Sequence, residues 1–243
     1  MSIRQSPRRR SPTDPSRRHR FRPARDRSLR HHYDVPVTSA AHDARVPVVV
    51  MASGTGSLMA AILELAATDS ASFRVVGVVV DRDCAAADRA IDDGISVILC
   101  QLRDYDDRDA WDRGLTAAVD QLAPEWVVTA GFMKILGPSF LARFGGRILN
   151  SHPALLPAFP GAHGVADALA YGVKVTGTTV HLVDDGVDTG PILAQRIVEV
   201  LPDDTQETLH ERIKEVERML LPETVHAVVT RGVVTDGRKA HIK

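Results

Sequence analysis

The chain has 243 residues, a net charge of −1, an apolar share of 44% and two cysteines, Cys84 and Cys100. That is the size of one α/β domain, alone or with a tail, and the apolar share is ordinary for a globular core. The separated cysteines argue against a disulfide framework and suit a reducing cytosol; no apolar run approaches the roughly 20 residues of a membrane helix, and the charged N-terminus lacks the apolar stretch of a signal peptide.

The near-neutral total hides an asymmetry. Residues 1–45 hold twelve Arg and four Asp, which leaves 18 basic against 27 acidic residues in the rest. The stretch "SPRRRSPTDPSRRHRFRPARDRSLRHH" is rich in Arg, Pro and Ser, with almost nothing apolar to bury. It cannot offset its ordering entropy. Residues 1–45 are therefore expected to be a disordered extension and 46–243 the folded domain. One function for such an arm is nucleic-acid binding; the other reading is an upstream extension with no role. The acidic body shows no aromatic stacking platform, so no nucleic-acid partner is expected.

From Val46 a regular rhythm begins. "VPVVVMAS" (46–53) is a β-branched run, a buried strand. "GTGS" interrupts it, and 58–68 has helical composition. A second strand is expected over 73–81, a helix over 83–94, a third strand over 96–100 and a helix over 107–124. Along that last helix Trp111, Leu115, Val119 and Leu122 recur on one face, and Pro124 stops it. A fourth strand (126–131) and a short helix (138–145) lead into "RILNSHP" (147–153). Alternating strands and helices imply βαβ units, a largely parallel sheet and helices on both faces. The rhythm then changes. "HPALLPAFPGAHG" is a Pro/Gly-rich loop, and two extended segments (176–183 and 191–200) flank the acidic loop "DDGVDTG". This hairpin-type addition makes the sheet mixed. A long helical stretch (205–232) starts at Thr205 and is expected to break or kink near Pro222.

Three polar features fall at strand ends. The turn Ser53-Gly54-Thr55-Gly56-Ser57 enters a helix and presents free backbone N–H groups, which suits a phosphate; equally, any first βα turn needs small residues for packing. It is neither G-x-G-x-x-G nor a P-loop. A single phosphate monoester fits it better than a pyrophosphate, although Asp81 at the second strand end could mimic a ribose-binding acid. In "LNSHP", Asn150 and His152 are two apart and face one way on a strand; the plain alternative is a turn. Asp184, Asp185 and Asp188 crowd the acidic loop, and His181 precedes them. Ligands in open α/β sheets bind at the carboxyl ends of strands, so these features should converge. No two His stand at helical ligand spacing, so no metal is expected. A Ser-His-Asp hydrolase lacks its G-x-S-x-G elbow, and Ser151 should point away from His152. A His, an Asn and a carboxylate without a side-chain nucleophile suit acyl transfer to an amine that the substrate supplies.

"VVVMASGTGSLMAAIL", "AGFMKILGPSFLARFGGRILNSHPALLPAFPGAHG", "TGTTVHLVDDGVDTGPILAQ" and "LHERIKEVERMLLPE" together resemble the phosphoribosylglycinamide formyltransferases, folate-dependent enzymes of purine synthesis. The resemblance runs in order from about Val48 to about Gly232 and implies the formyltransferase fold, a Rossmann-like mixed sheet. It implies transfer of a formyl group from 10-formyltetrahydrofolate, as co-substrate, to the amine of glycinamide ribonucleotide in the cytoplasm. It makes Asn150, His152 and Asp188 the catalytic trio and His181 a support for Asp188. Gly54, Thr55, Gly56 and Ser57 become the phosphate loop. Lys214 and Glu217 flank the ribonucleotide, with Glu217 on its amine. Arg108, Phe132, Met133, Lys134, Ile135, Leu136, Val183, Asp184 and Asp185 form the folate pocket. Two positions depart from the pattern: Leu58 stands where Asn is common, and Lys134 where Arg is common. Related enzymes differ elsewhere. A methionyl-tRNA formyltransferase would carry a further C-terminal RNA-binding domain, and a formyltetrahydrofolate hydrolase an apolar-patterned regulatory domain at the N-terminus. A nucleotide sensor would have no reason to set the trio at strand ends. A homodimer is compatible with the sequence, which does not fix the oligomeric state.

Overall fold

The computed structural model describes residues 43–243 and the two-residue strand β1 (His32–Tyr33). The rest of the arginine-rich arm, and with it the expectation of disorder there, lies outside the described residues. The domain alternates as its sequence pattern requires. β2 (Val46–Ala52), α1 (Ser57–Ala66), β3 (Phe73–Val80), α2 (Ala85–Asp92), β4 (Val97–Leu99), α3 (Arg108–Gln121), β5 (Trp126–Thr129), α4 (Pro138–Phe144) and β6 (Ile148–His152) follow in turn. Then come α5 (Gly164–Tyr171), β7 (Val175–Leu182), β8 (Ile192–Glu199), α6 (Gln206–Arg231), β9 (Val233–Asp236) and β10 (Lys239–Ile242).

One mixed sheet runs in the order β1-β4-β3-β2-β5-β6-β7-β8-β10-β9. β4, β3, β2, β5 and β6 are parallel, and β7 and β8 add antiparallel. Strand order reverses between β2 and β5, so the carboxyl ends of these two strands open the crevice where α/β sheets bind ligands. Both faces are covered. Val48, Val50 and Leu149 pack under α1, α2 and α6 through Met59, Ile62, Ala90, Leu221 and Val225. Val49, Met51 and Ile148 pack under α3 and α4 through Trp111, Leu115, Val119, Phe140 and Phe144. Of the apolar face expected on α3, Trp111, Leu115 and Val119 are buried, and Leu122 packs at its margin.

Local chemistry sets the helix ends. Thr205 caps α6, with reciprocal bonds between Thr205 and Thr208. α4 begins with Pro138, and Asp112, reaching over from α3, accepts from Gly137 N at 3.0 Å and Ser139 N at 2.7 Å. α6 is one continuous helix of 26 residues, so the break expected as one alternative near Pro222 does not occur. Its neighbours Leu220, Leu221 and Val225 are buried against the sheet, and that packing outweighs the roughly 3 kcal/mol cost of an interior proline. The Pro/Gly-rich loop after His152 ends where expected, and α5, a helix not read from the sequence, begins at Gly164. The β9–β10 hairpin was not visible as a pattern, since its half-exposed strands are only four residues each.

Candidate active site

At the carboxyl ends of β2, β5 and β6 lies a cavity of about 560 Å³, within the range of small-molecule sites. The 54–57 loop, residues 129–136, Asn150 to Pro153, residues 161–166, the acidic loop and one face of α6 all line it. The turn into α1 has no side-chain cap, and Gly56 takes a left-handed φ of 75°. The first N–H groups of the helix are thus without a side-chain partner at the cavity wall. Convergence of the acidic loop was expected on topology, but the route differs. β7 is antiparallel to β6, so this loop leaves beside Ile148, at the amino end of β6. It must double back to bring Asp188 to His152, and Asp188 accepts a left-handed φ of 54° in doing so.

Hydrogen bonding fixes each member of the trio. Thr129 Oγ1 donates to Asn150 Oδ1 at 2.6 Å, which turns Asn150 Nδ2 toward His181 and Asp188. His181 Nδ1 lies 2.8 Å from the Leu182 carbonyl and therefore carries the proton, leaving Nε2 to accept from Asn150 Nδ2 at 3.1 Å. Nδ2 also donates to Asp188 Oδ1 at 3.5 Å, a long bond that a ligand oxygen can displace. His152 is buried, with Nδ1 3.2 Å from Asp188 Oδ2 and Nε2 2.8 Å from the Phe159 carbonyl. Burial works against the charged form of Asp188. The Gly161 N–H donated to Oδ2 and the neighbouring His152 ring favour it, and the carboxyl sits below its ordinary range.

Ser151 points the other way, as strand alternation requires. Its hydroxyl donates to Glu217 Oε1 on α6 at 2.7 Å, and Thr178 Oγ1 reaches the same oxygen at 3.3 Å. Glu217 is only 6% exposed, and burial pushes its carboxyl up against these two hydroxyls. Lys214, one turn before, pairs with Glu211 at 2.7 Å. Gln206 and His210 also line the cavity and were missed from the sequence. Spacing of four residues back from Lys214 puts both on its face of the helix, so the signal was present. Burial, and then the Lys214 charge, lower the His210 pKa.

Residues 46–225 match the family model "Formyl transferase". The chain belongs to the formyl transferase family. It is 61% identical over 193 residues to the phosphoribosylglycinamide formyltransferase of Mycobacterium tuberculosis, covering 79% of this chain and 89% of that one. The Escherichia coli enzyme of that name is 38% identical over 176 residues, 72% of this chain and 83% of that one. A crystal structure of glycinamide ribonucleotide transformylase 1 from Symbiobacterium toebii superposes with a TM-score of 0.80 at 36% identity, covering 84% of this chain and 98% of that one.

In this formyl transferase Phe132 to Leu136, Val183 and Asp184 line the cavity, whereas Asp185 and Arg108 do not. Arg108 acts one step back: its guanidinium donates to the Ile135 carbonyl and lies over the Trp111 ring at 5.3 Å. Asp184 ties its own loop, accepting from Gly186 N and Thr189 Oγ1. Asp81 is not free to hold a ribose. Its carboxylate pairs with Arg82 at 2.9 Å and Lys134 at 3.7 Å. Ser53 Oγ accepts from Met133 N at 2.9 Å, so this cluster anchors the 130–136 loop. Lys134, one of the two departures, is thereby held to the loop's own support. Leu58, the other, lines the cavity and supplies no donor. Among the described residues no group of three His, Cys, Asp or Glu could hold a metal, and no helix is long and apolar enough to cross a membrane.

Proposed function

We propose that this chain transfers the formyl group of 10-formyltetrahydrofolate to the amine of glycinamide ribonucleotide, with Asn150, His152 and Asp188 as the catalytic residues. The observation that carries this reading is the single cavity that joins an uncapped helix N-terminus, the trio and the buried Glu217. The ribonucleotide's phosphate lies on the 54–57 loop, and its amine is held by Glu217, which keeps it beside the trio. The folate lies along 132–136 and the 183–184 segment. As the amine nitrogen attacks the formyl carbon, the carbonyl electron pair moves to oxygen, and Asn150 Nδ2 and a protonated His152 stabilise it. Asp188 accepts the proton that leaves the amine, directly or through water. Collapse breaks the bond from the formyl carbon to N10 of the folate, and the released nitrogen takes up a proton. The products are formylglycinamide ribonucleotide and tetrahydrofolate.

An acceptor assay tests the whole reading. Folate release followed by absorbance should be fast with glycinamide ribonucleotide and close to background with water or initiator tRNA. A faster reaction with either alternative acceptor overturns it. Residues 1–45 take no part in this scheme, and the domain that does the work is 46–243. A chain shortened to start at Ala44 should keep kcat/KM and Tm; among the described residues it loses the two-residue pairing of β1 with β4 and the Asp43–Arg45 ion pair, which is partly exposed. A loss beyond about tenfold, roughly 1.4 kcal/mol, would bring the arm into the mechanism.

The phosphate loop has its own probe. Gly56 is a poor choice, because a Cβ there would lie 2.8 Å from the Ala86 backbone at a positive φ, so any substitution disturbs the contact with α2. Gly54 has nothing within 4 Å of its Cβ position. Gly54→Val should leave the fold intact and keep the phosphate from the backbone N–H groups. KM for the ribonucleotide should rise by roughly tenfold or more, with KM for the folate almost unchanged, since hydrogen bonds to a charged group are worth about 1.5–3 kcal/mol. Equal effects on both substrates would make the loop structural.

A further inference from the structure

The loop between β6 and α5 breaks two local rules at one residue. Phe159 has a φ of 55°, a left-handed conformation that non-glycine residues rarely adopt. It also precedes Pro160, which drives the preceding residue toward extended conformations. Such a residue persists only where its surroundings over-determine it, and residues of this kind gather at functional sites. The result here is an oriented carbonyl, 2.8 Å from His152 Nε2. Two residues on, the Gly161 N–H donates to Asp188 Oδ2, also at 2.8 Å. One short turn therefore holds His152 by an acceptor and Asp188 by a donor.

α5 supports this turn at both ends. The Phe159 ring meets Tyr171, the last residue of α5, edge-on with centroids 5.8 Å apart. At the first residue of α5, Gly164 makes room for the carbonyl and the imidazole to meet. A Cβ there would lie 3.0 Å from Phe159 O and 3.1 Å from His152 Nε2. A carbonyl can only accept, so Nε2 carries a proton whenever this bond is made. We propose that the Phe159–Gly161 turn is a backbone bracket that positions the catalytic pair. Phe159 O keeps a proton on His152 Nε2, which leaves Nδ1, on the Asp188 side, as the ring nitrogen that exchanges a proton during formyl transfer. Phe159 and Gly161 act through His152 and Asp188 and are positioning residues. The inference rests on the reading of His152 as the proton-donating group.

The test starts with the full chain carrying ¹⁵N-labelled histidine, with His152→Ala used to assign the resonances. His152 Nε2 should show the shift of a protonated nitrogen throughout the range in which the protein is folded and active, with any change confined to Nδ1. An Nε2 that behaves as an unprotonated nitrogen overturns the proposal, whatever the turnover. Gly164→Ala then pushes a methyl against the bond itself; alanine is otherwise favourable in a helix. It should lower kcat by roughly tenfold to a hundredfold, the scale of a small misplacement of catalytic groups. Both KM values should stay within about twofold, and the Nε2 shift should move toward the unprotonated form. A folded Gly164→Ala protein with normal kcat, or with reduced kcat and an unchanged Nε2 shift, overturns the proposal. If the variant does not fold, the native spectrum still decides. Failure of the formyl-transfer reading would look different: Nε2 protonated, and no ribonucleotide-dependent folate release.

Discussion

Asp188→Asn should lower kcat by roughly 10² to 10⁴, the usual worth of a positioned general acid or base, while both substrates remain bound. The substitution keeps the shape of the side chain. Its amide oxygen can still accept from Gly161 N, whose donor now lies 2.8 Å from Asp188 Oδ2. What disappears is the charge. His152 Nδ1 stands 3.2 Å from that carboxylate, so a protonated His152 loses its counter-ion, and the proton leaving the amine loses its acceptor. The low titration range of Asp188 means that its contribution is complete above the ordinary carboxylate range and fades only as pH falls well below it. The deficit of the variant should therefore be undiminished across neutral and alkaline pH. His152→Ala and Asn150→Ala should fall by similar factors. Combined with Asp188→Asn, each should lose less than the product, because residues that act as one unit are not additive. Steady-state kinetics across pH, with folate binding followed by fluorescence, measure all of this. A near-normal kcat in Asp188→Asn removes the residue from the mechanism, and multiplicative losses mean the three act independently.

Glu217→Gln should trade activity for stability. Ser151 and Thr178 both reach Oε1, which leaves Oε2 for the substrate amine. Losing that charge-assisted bond should raise KM for glycinamide ribonucleotide by roughly tenfold to a hundredfold, the equivalent of about 1.5–3 kcal/mol, with KM for the folate unchanged. The empty protein should respond in the opposite sense. Burial raises the folded-state pKa of Glu217 above its ordinary value. An acid raised in this way destabilises the fold once ionised. Its effect is absent below the unfolded carboxylate range, about 4.3, and grows as pH rises through the interval up to the folded value. Glutamine removes that penalty, so the variant's Tm should exceed that of the native protein at pH 8 and draw level near pH 4. Thermal melts at both pH values, with and without ribonucleotide, check this. If the ribonucleotide KM is unchanged, Glu217 is structural; if the native protein gains no relative stability at low pH, its burial costs nothing.

Much of this site could be read before any tertiary contact was known. The β-branched runs at Val46 and Phe73, the amphipathic spacing from Trp111 to Val119 and the Gly-rich turn at 54–57 are local signals, and local propensity and periodicity decide them. Strand alternation was enough to put Asn150 with His152 on one side and Ser151 on the other. It did not say what Ser151 would meet. Glu217 lies 66 residues away on α6, and only the packing of that helix over the sheet brings the two together. For the same reason Pro222 does not break its helix: its local penalty is real, but burial of Leu220, Leu221 and Val225 outweighs it. Asp81 had a plausible ligand role by position and Arg108 by resemblance, and tertiary partners instead commit them to holding the 130–136 loop. Asp188 is the sharpest case. Composition marked its loop as acidic but left its three carboxylates equivalent, and only the family resemblance singled out Asp188. The doubling back of a loop after an antiparallel strand chose one of them for His152, and left Asp184 to tie that loop together. Periodicity is a property of a few neighbouring residues, so it can be read along the chain; the choice among chemically equal groups depends on long-range geometry, which exists only once the chain has folded.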